Sequence, residues 1–322
     1  MAPSLVSRGF FMKKLNKKYY KSLGKRIYRG RQLYLLLALP LIYMVVFSYV
    51  PMLGLQIAFK HYTFKGGIWG SDWVGLKYFI KFFTDRNFST ILFNTLRVSL
   101  YSLAANTFIP IFLALALNCL NQKGLKKVVQ TLTYIPHFIS VVVLIGMMSQ
   151  MLNPIVGVYG NLVRAITGER AVDILGIPNA FPHLYVWSGV WQNAGFNSII
   201  YIAALAGSDQ DLHEAAQIDG ASRLQRVRYI DIPTIIPTAV ILLILNAGKV
   251  MTVGFEKVFL LQNSLNTSYS EVISTYVYKQ AFGSGSNFSY STAIGMFNSV
   301  INLVMIMLVN KISKKVSDSS LW

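Results

Sequence analysis

A chain of 322 residues in which 54% are hydrophobic and only 13% charged is unlike a water-soluble domain, where about a quarter of residues carry charge. Its formal net charge of +18 would suit a nucleic-acid binder, but ten Lys and Arg crowd into residues 1–32 with no acid and no folded basic module beside them. The lone Cys119 excludes an intramolecular disulfide and, by itself, a zinc site.

The basic tail, residues 1–32, runs directly into an apolar stretch from Leu33 to Phe59. That stretch is too long for the apolar region of a cleaved signal peptide, so a retained span is expected. A cationic tail before a first span favours a cytoplasmic N-terminus and attracts anionic membrane lipids. Further spans are expected near 90–119, 128–152, 183–206, 235–256 and 290–310, each long enough for a hydrocarbon core of about 30 Å. Pro40 and Pro51 predict a kink or an early break in the first. The fold class is therefore an all-α polytopic membrane protein with six transmembrane helices.

Residues 33–89 comprise the first span and a segment outside it. In that segment Gly66, Gly67 and Gly70 mark turns. Trp73 to Phe83 is patterned as an amphipathic helix, with Trp69, Trp73 and Tyr78 expected at headgroup level. Interfacial anchor and contact with an external partner both fit it. The core is residues 90–311, followed by a C-terminal tail at 312–322. Lys123, Lys126 and Lys127 between the second and third spans, and Lys311, Lys314 and Lys315 at the end, lie with the tail on one side after an even number of crossings. Both termini are then cytoplasmic, despite five bases against two acids in 60–89.

The 207–233 loop falls on the same side. Between two apolar runs it places EAAQIDGASRLQRVRYIDIP, Glu214 to Pro233, whose alternating charges suit a short solvated helical pair. Ala215 and Ala216 are strong helix formers, Gly220 accepts a positive φ for a sharp turn, and Pro233 and Pro237 set the entry to the fifth span. Glu214, Ala215, Ala216, Gly220, Ile230 and Pro233 stand in register with the EAA loop of ABC importer permeases, with Ile232 where Leu is usual. The segment resembles that loop. Together with WQNAGFNSIIYIAALA, SYSEVISTYVYKQAF and FSYSTAIGMFNSVINLVMIML, it makes the chain similar to type I sugar-importer permeases, on a branch associated with oligosaccharides and polysaccharides, including uronate-containing glycans such as alginate.

The resemblance implies a coupling helix that docks on a cytosolic ATPase, with Glu214, Ala215, Ala216, Asp219, Gly220, Ile230 and Pro233 at the contact. It implies a second homologous permease, two ATP-binding cassette subunits and an extracytoplasmic solute-binding protein, in a bacterial inner membrane, working by alternating access. The chain has no G-x-x-x-x-G-K-[ST] phosphate loop. ATP and Mg are thus expected on the partner ATPases, with no cofactor on this chain and no enzymatic role. A type I permease for another solute class is an alternative. An ion-coupled secondary transporter is a further alternative, but it calls for a relay of intramembrane acids that this sequence lacks, and His61, His137, His183 and His213 form no ligand pair at helical spacing.

Polar residues inside the spans mark the expected solute path. Asn193, Asn197 and Tyr201 recur every fourth residue on one face, with Trp191 nearby; Asn298 and Asn302 share a face of the last span. Asn246 and Lys249 lie one turn apart in the fifth. Amides pair with sugar hydroxyls and an aromatic ring stacks on a pyranose, although Asn also serves helix–helix contact. Lys249, costly at a helix centre, is read either as the counter-ion of an acidic sugar or as the partner of Glu256 or Asp231.

Overall fold

In the computed structural model, residues 28–316 are described; most of the basic tail and the last six residues, 317–322, lie outside them. The first apolar run is one rod from Arg31 to Phe59. It opens as α1, Arg31–Met44, passes Pro40 without breaking, widens into a π-turn at Val45–Tyr49 and tightens into a 3-10 end at Leu53–Phe59. The π-turn lies between the two prolines, where missing N–H donors loosen the ladder. None of this rod's most apolar stretch is buried against the rest of the chain.

Lys60–His61 (β1) pairs antiparallel with Asp72–Trp73 (β2), the one small sheet among the described residues. The amphipathic segment begins later than expected: Trp73 is extended, and the helix α2 is Lys77–Phe83. Trp69 and Trp73 are exposed, as an interfacial position requires, but Tyr78 is buried with its hydroxyl 2.8 Å from His61 Nδ1. Tyr78 is a core residue because it sits on the inner face of α2 beside Phe82.

Phe88–Asn118 (α3) is a span of 31 residues. The expected third span is not one helix. Lys123–Tyr134 (α4) runs into a 3-10 turn at Ile135–Phe138, and Val141–Met151 (α5) leaves at 101°. Pro136 begins the tight turn, and the Ser140 Oγ accepts from the Val143 N–H to start a new helix. After Val158–Thr167 (α6) comes Phe181–Ala206 (α7), which crosses α4 so closely that a Cβ on Gly195 would lie 2.1 Å from the Thr133 carbonyl oxygen. Only glycine permits that approach.

The polar loop folds as Gln210–Ile218 (α8) and Arg223–Arg226 (α9), which continues through a π-turn at Val227–Asp231 into Ile232–Ala247 (α10). The fifth span is thus shifted from the expected 235–256: its helix begins at Arg223 and stops at Ala247. Phe255–Leu261 (α11), Ile273–Phe282 (α12) and Phe288–Val316 (α13) complete the chain.

Four described helical stretches are long and apolar enough to cross a membrane, five if the bent pair counts as one span. Helix α7 has the length, 26 residues, but its Trp, Asn, Gln, Ser and His residues keep it outside that set. Length and apolarity alone therefore do not carry the expected six. A core of Ala58, Tyr78, Phe82, Ile91, Met251, Tyr290 and neighbours joins the ends of the rod, α2, α3 and α13. Within it Asp85 Oδ2 accepts hydrogen bonds from the hydroxyls of Tyr276 at 2.7 Å and Tyr290 at 2.9 Å. Burial raises the Asp85 pKa, but the Asn87 N–H, the two hydroxyls and Lys81 outweigh it and hold the carboxyl below its ordinary value. Burial and the same carboxylate push Tyr276 up to about 12.

Candidate functional sites: a coupling segment and a polar cavity

The coupling segment is built by local backbone chemistry. Asp209 caps α8, its Oδ1 accepting from the Asp211 N–H at 3.0 Å. Gly220 ends the helix at φ +75°, the Ala221 N–H bonding the Ala216 carbonyl at 2.8 Å and the Gly220 N–H that of Gln217 at 3.1 Å. Its positive φ is the turn expected from sequence. Ser222 and Gln225 then form a reciprocal capping box for α9, and Pro233 sits in the first turn of α10.

Glu214, Ala215, Asp219 and Gly220 are exposed, Ala216 and Ile230 half-buried. Leu212 and Ile218 stand out from α8 as bare apolar side chains. Two exposed aliphatics and small residues thus share one otherwise polar helix.

Among the described residues, a contact at Asp231 that has no local sequence signal ties this helix to the membrane helices. Asp231, buried at the π-turn, accepts at Oδ1 from Asn118 Nδ2 at the end of α3, 3.3 Å away, and lies 3.3 Å from Nε2 of His213 on α8. Three elements thus meet on one carboxylate. Beside it a cleft of about 340 Å³ is lined by Ser208, His213, Arg223, Arg226 and Cys119. The spacing of a lone His and a lone Asp, eighteen residues apart across a turn, carries no signal of the pair.

The second site is a cavity of about 390 Å³ walled by Ser99, Ser102 and Asn106 of α3, Tyr185, Asn193 and Asn197 of α7, and Asn246, Lys249 and Thr252. The structure brings together four of the polar residues picked out from sequence, Asn193, Asn197, Asn246 and Lys249. Asn193 is fixed: its Oδ1 lies 2.9 Å from His137 Nδ1, and its Nδ2 donates to the Gly189 carbonyl at 3.1 Å. The His137 ring in turn stacks on Phe196 at 3.9 Å.

Lys249 is not at a helix centre. Helix α10 stops at Ala247, and Lys249 follows in the turn beyond its C-terminus, exposed to the cavity. A helix C-terminus favours a cation, which reduces the burden expected of a mid-helix lysine. The break is held by Asn302, which accepts from the Met251 N–H at 2.9 Å and donates to Thr252 Oγ1 at 3.0 Å. Neither suggested acid pairs with Lys249, since Asp231 is engaged by His213 and Asn118, and Glu256 is exposed and makes no ion pair among the described residues.

Three other residues picked out from sequence for the path do not line this cavity. Tyr201 is buried in a contact with Ala114, Leu205 and Ile235. Trp191 lines a separate apolar cleft with Met147, Met148, Met151 and Trp187. Asn298 does not border the cavity; its Oδ1 is buried without a hydrogen-bond partner among the described residues. Among the described residues no three His, Cys, Asp or Glu come together as metal ligands.

Residues 106–318 match the family described as binding-protein-dependent transport system inner membrane component. The polygalacturonan/rhamnogalacturonan transport system permease protein YteP of Bacillus subtilis (strain 168) is 40% identical over 302 residues, 94% of each chain. The trehalose/maltose permease protein MalF of Thermococcus litoralis is 30% identical, covering 84% of this chain and 92% of its own. A crystal structure of a bacterial ABC transporter involved in import of the acidic polysaccharide alginate contains a chain 38% identical, with a TM-score of 0.84 over 92% of this chain and 99% of that one. A second structure of an alginate transporter, with an alginate pentasaccharide-bound periplasmic protein, aligns at 37% identity and the same TM-score of 0.84. The chain belongs to the binding-protein-dependent transport system inner membrane component family and is a non-catalytic, multi-pass permease subunit of an ABC importer with the type I fold.

Proposed function

We propose that this permease forms half of a pore for acidic oligosaccharides, driven through α8 by a separate ATPase and filled through the polar cavity. The observation that carries the solute class is the cavity itself. Amides from two helices, Asn193, Asn197 and Asn246, line the cavity with Lys249, which makes no ion pair among the described residues. Amides suit hydroxyls, and an ammonium at a helix end suits a carboxylate. The similarity to permeases of alginate and polygalacturonan systems supports the same class.

A second permease, two ATPase subunits carrying ATP and Mg, and an extracytoplasmic binding protein complete the assembly, with both termini in the cytoplasm. The most apolar stretch of the rod Arg31–Phe59 supports a second membrane subunit, because nothing in the described chain buries it and it is left free for one. On the coupling side, docking at Leu212, Glu214, Ala215 and Ile218 moves α8, and the buried Asp231 carries that movement to α3 and α10. A packed contact with two arrangements converts a small displacement into alternating access.

The test is reconstitution of the complete transporter, with ATPase stimulation measured against acidic and neutral oligosaccharides of equal length. Acidic chains should stimulate most. Equal stimulation by neutral chains contradicts the solute class, whereas loss of stimulation by every sugar in Glu214→Lys bears on coupling alone.

A further inference from the structure

The polar cavity occupies one side of α3, through Ser99, Ser102 and Asn106. Arg97 points to the opposite side, because each residue advances about 100° around a helix. It begins nine residues inside the span, about 14 Å from Phe88 at 1.5 Å per residue. Side chains on a helix lean toward its N-terminus. The guanidinium accordingly reaches back one turn, where Cζ lies 4.6 Å from the Phe93 ring centre and 4.6 Å from that of Tyr269. It is a half-buried cation clamped between two aromatic faces near the end of a membrane span.

No anion of the described chain answers it. The described ion pairs are His213–Asp231 and Lys279–Glu271, and Arg97 takes part in neither. The clamp is rigid: Asn94 Nδ2 donates to the carbonyls of Ser268 at 2.9 Å and Glu271 at 3.1 Å, and Thr95 Oγ1 accepts from the Ile273 N–H at 3.0 Å. The turn that carries Tyr269 is thereby pinned to α3. Around the guanidinium lies an open groove of about 610 Å³, mostly apolar through Leu92, Phe93 and Leu96, with the hydroxyls of Ser89, Thr90 and Ser268 among its lining.

We propose that this groove binds an anionic glycerophospholipid, its phosphate on Arg97 and an acyl chain along Leu92, Phe93 and Leu96. Each part of the lipid meets its match. A guanidinium pairs with phosphate through two parallel N–H donors, the rim hydroxyls take the polar headgroup, and the apolar wall takes the chain. The side chain snorkels from within the span to headgroup depth. A partner-subunit carboxylate would satisfy the charge but leave the long apolar wall and the hydroxyl rim without a role. The site faces away from the solute cavity, so it stands whichever solute is carried.

The assembled transporter, purified in detergent, is titrated with phosphatidylglycerol, phosphatidylcholine and inorganic phosphate, and bound lipid is counted by native mass spectrometry. Phosphatidylglycerol should bind roughly tenfold tighter than phosphatidylcholine, and Arg97→Gln should abolish that preference while Arg97→Lys keeps part of it. Inorganic phosphate should compete weakly, lacking the acyl chain. Equal binding of both lipids to the unaltered transporter overturns the proposal, as does inorganic phosphate competing as well as the lipid. Should Arg97→Gln fail to assemble, a photoactivatable phosphatidylglycerol on the unaltered protein decides the matter. Label on the Phe88–Arg97 peptide supports the site; label elsewhere, or an Arg97→Cys cross-link to the second permease with lipid retention unchanged, rejects it.

Discussion

The coupling segment and the polar cavity are made in different ways. Between Asp209 and Pro233 nearly every structural feature is a short-range backbone event: a cap, a glycine turn, a capping box and a proline entry. The cavity gathers residues from α3, α7, the end of α10 and the break after it, positions up to 154 residues apart in sequence between Ser99 and Val253. On the proposed function, the segment that docks on another protein keeps its shape by itself, and the pocket that opens and closes is shared among separate elements.

That contrast can be broken most forcefully at the crossing of α4 and α7. Gly195→Val places side-chain carbon against the Thr133 carbonyl, which no rotamer relieves, so the helices part and on the order of 3 kcal/mol or more is lost. Little assembled permease should then be recovered from membranes, although the caps of α8 remain intact. Gly220→Val comes next. A β-branched residue at φ +75° costs about 1–2 kcal/mol. Because the strain is local, the chain should insert normally while solute-stimulated ATPase activity falls at least severalfold.

The relay is tested by a double-mutant cycle. Asp231→Asn and His213→Gln should each lower transport per ATP hydrolysed, and the double variant should be scarcely worse than either, with a coupling of about 2 kcal/mol for a buried charge-assisted contact. Additive losses would separate the two residues. The smallest effect concerns Asp85, away from both sites. Its carboxyl titrates below the ordinary 3.8, so its contribution to stability is complete above that pH and is lost as pH falls through the lower native value. Thermal unfolding followed from neutral pH downward should weaken only in that acid range, and Asp85→Asn should remove that part of the dependence.

The same contrast explains what was legible in the sequence. Gly220, Pro233 and the helical pair were readable because turns and caps obey local rules. Asn193 and Asn197 were readable as a period of four, but four residues on a helix overshoot one turn by about 40°. Carried on to Tyr201, the drift turns that ring out of the cavity and into its contact with Ala114 and Ile235. Trp191, two residues before Asn193, lies nearly opposite on the helix because two residues advance about 200° around it. Lys249 was conspicuous as a charge, yet its place depended on a helix ending at Ala247, secured by Asn302 from a distant span. Pro136 and Ser140 stand at the 101° bend, but they lie inside a stretch apolar enough on average to read as one span. The Asp231 contact is wholly tertiary and leaves no local trace.

Lys249 offers the most direct measurement. In the reconstituted transporter, uptake of an acidic and a neutral oligosaccharide of equal length is compared before and after Lys249→Ala. With the ammonium serving as the carboxylate's counter-ion, KM for the acidic chain should rise about tenfold while the neutral chain is nearly unaffected. Equal loss for both, or none for either, would contradict the cavity's role in recognising acidic sugars.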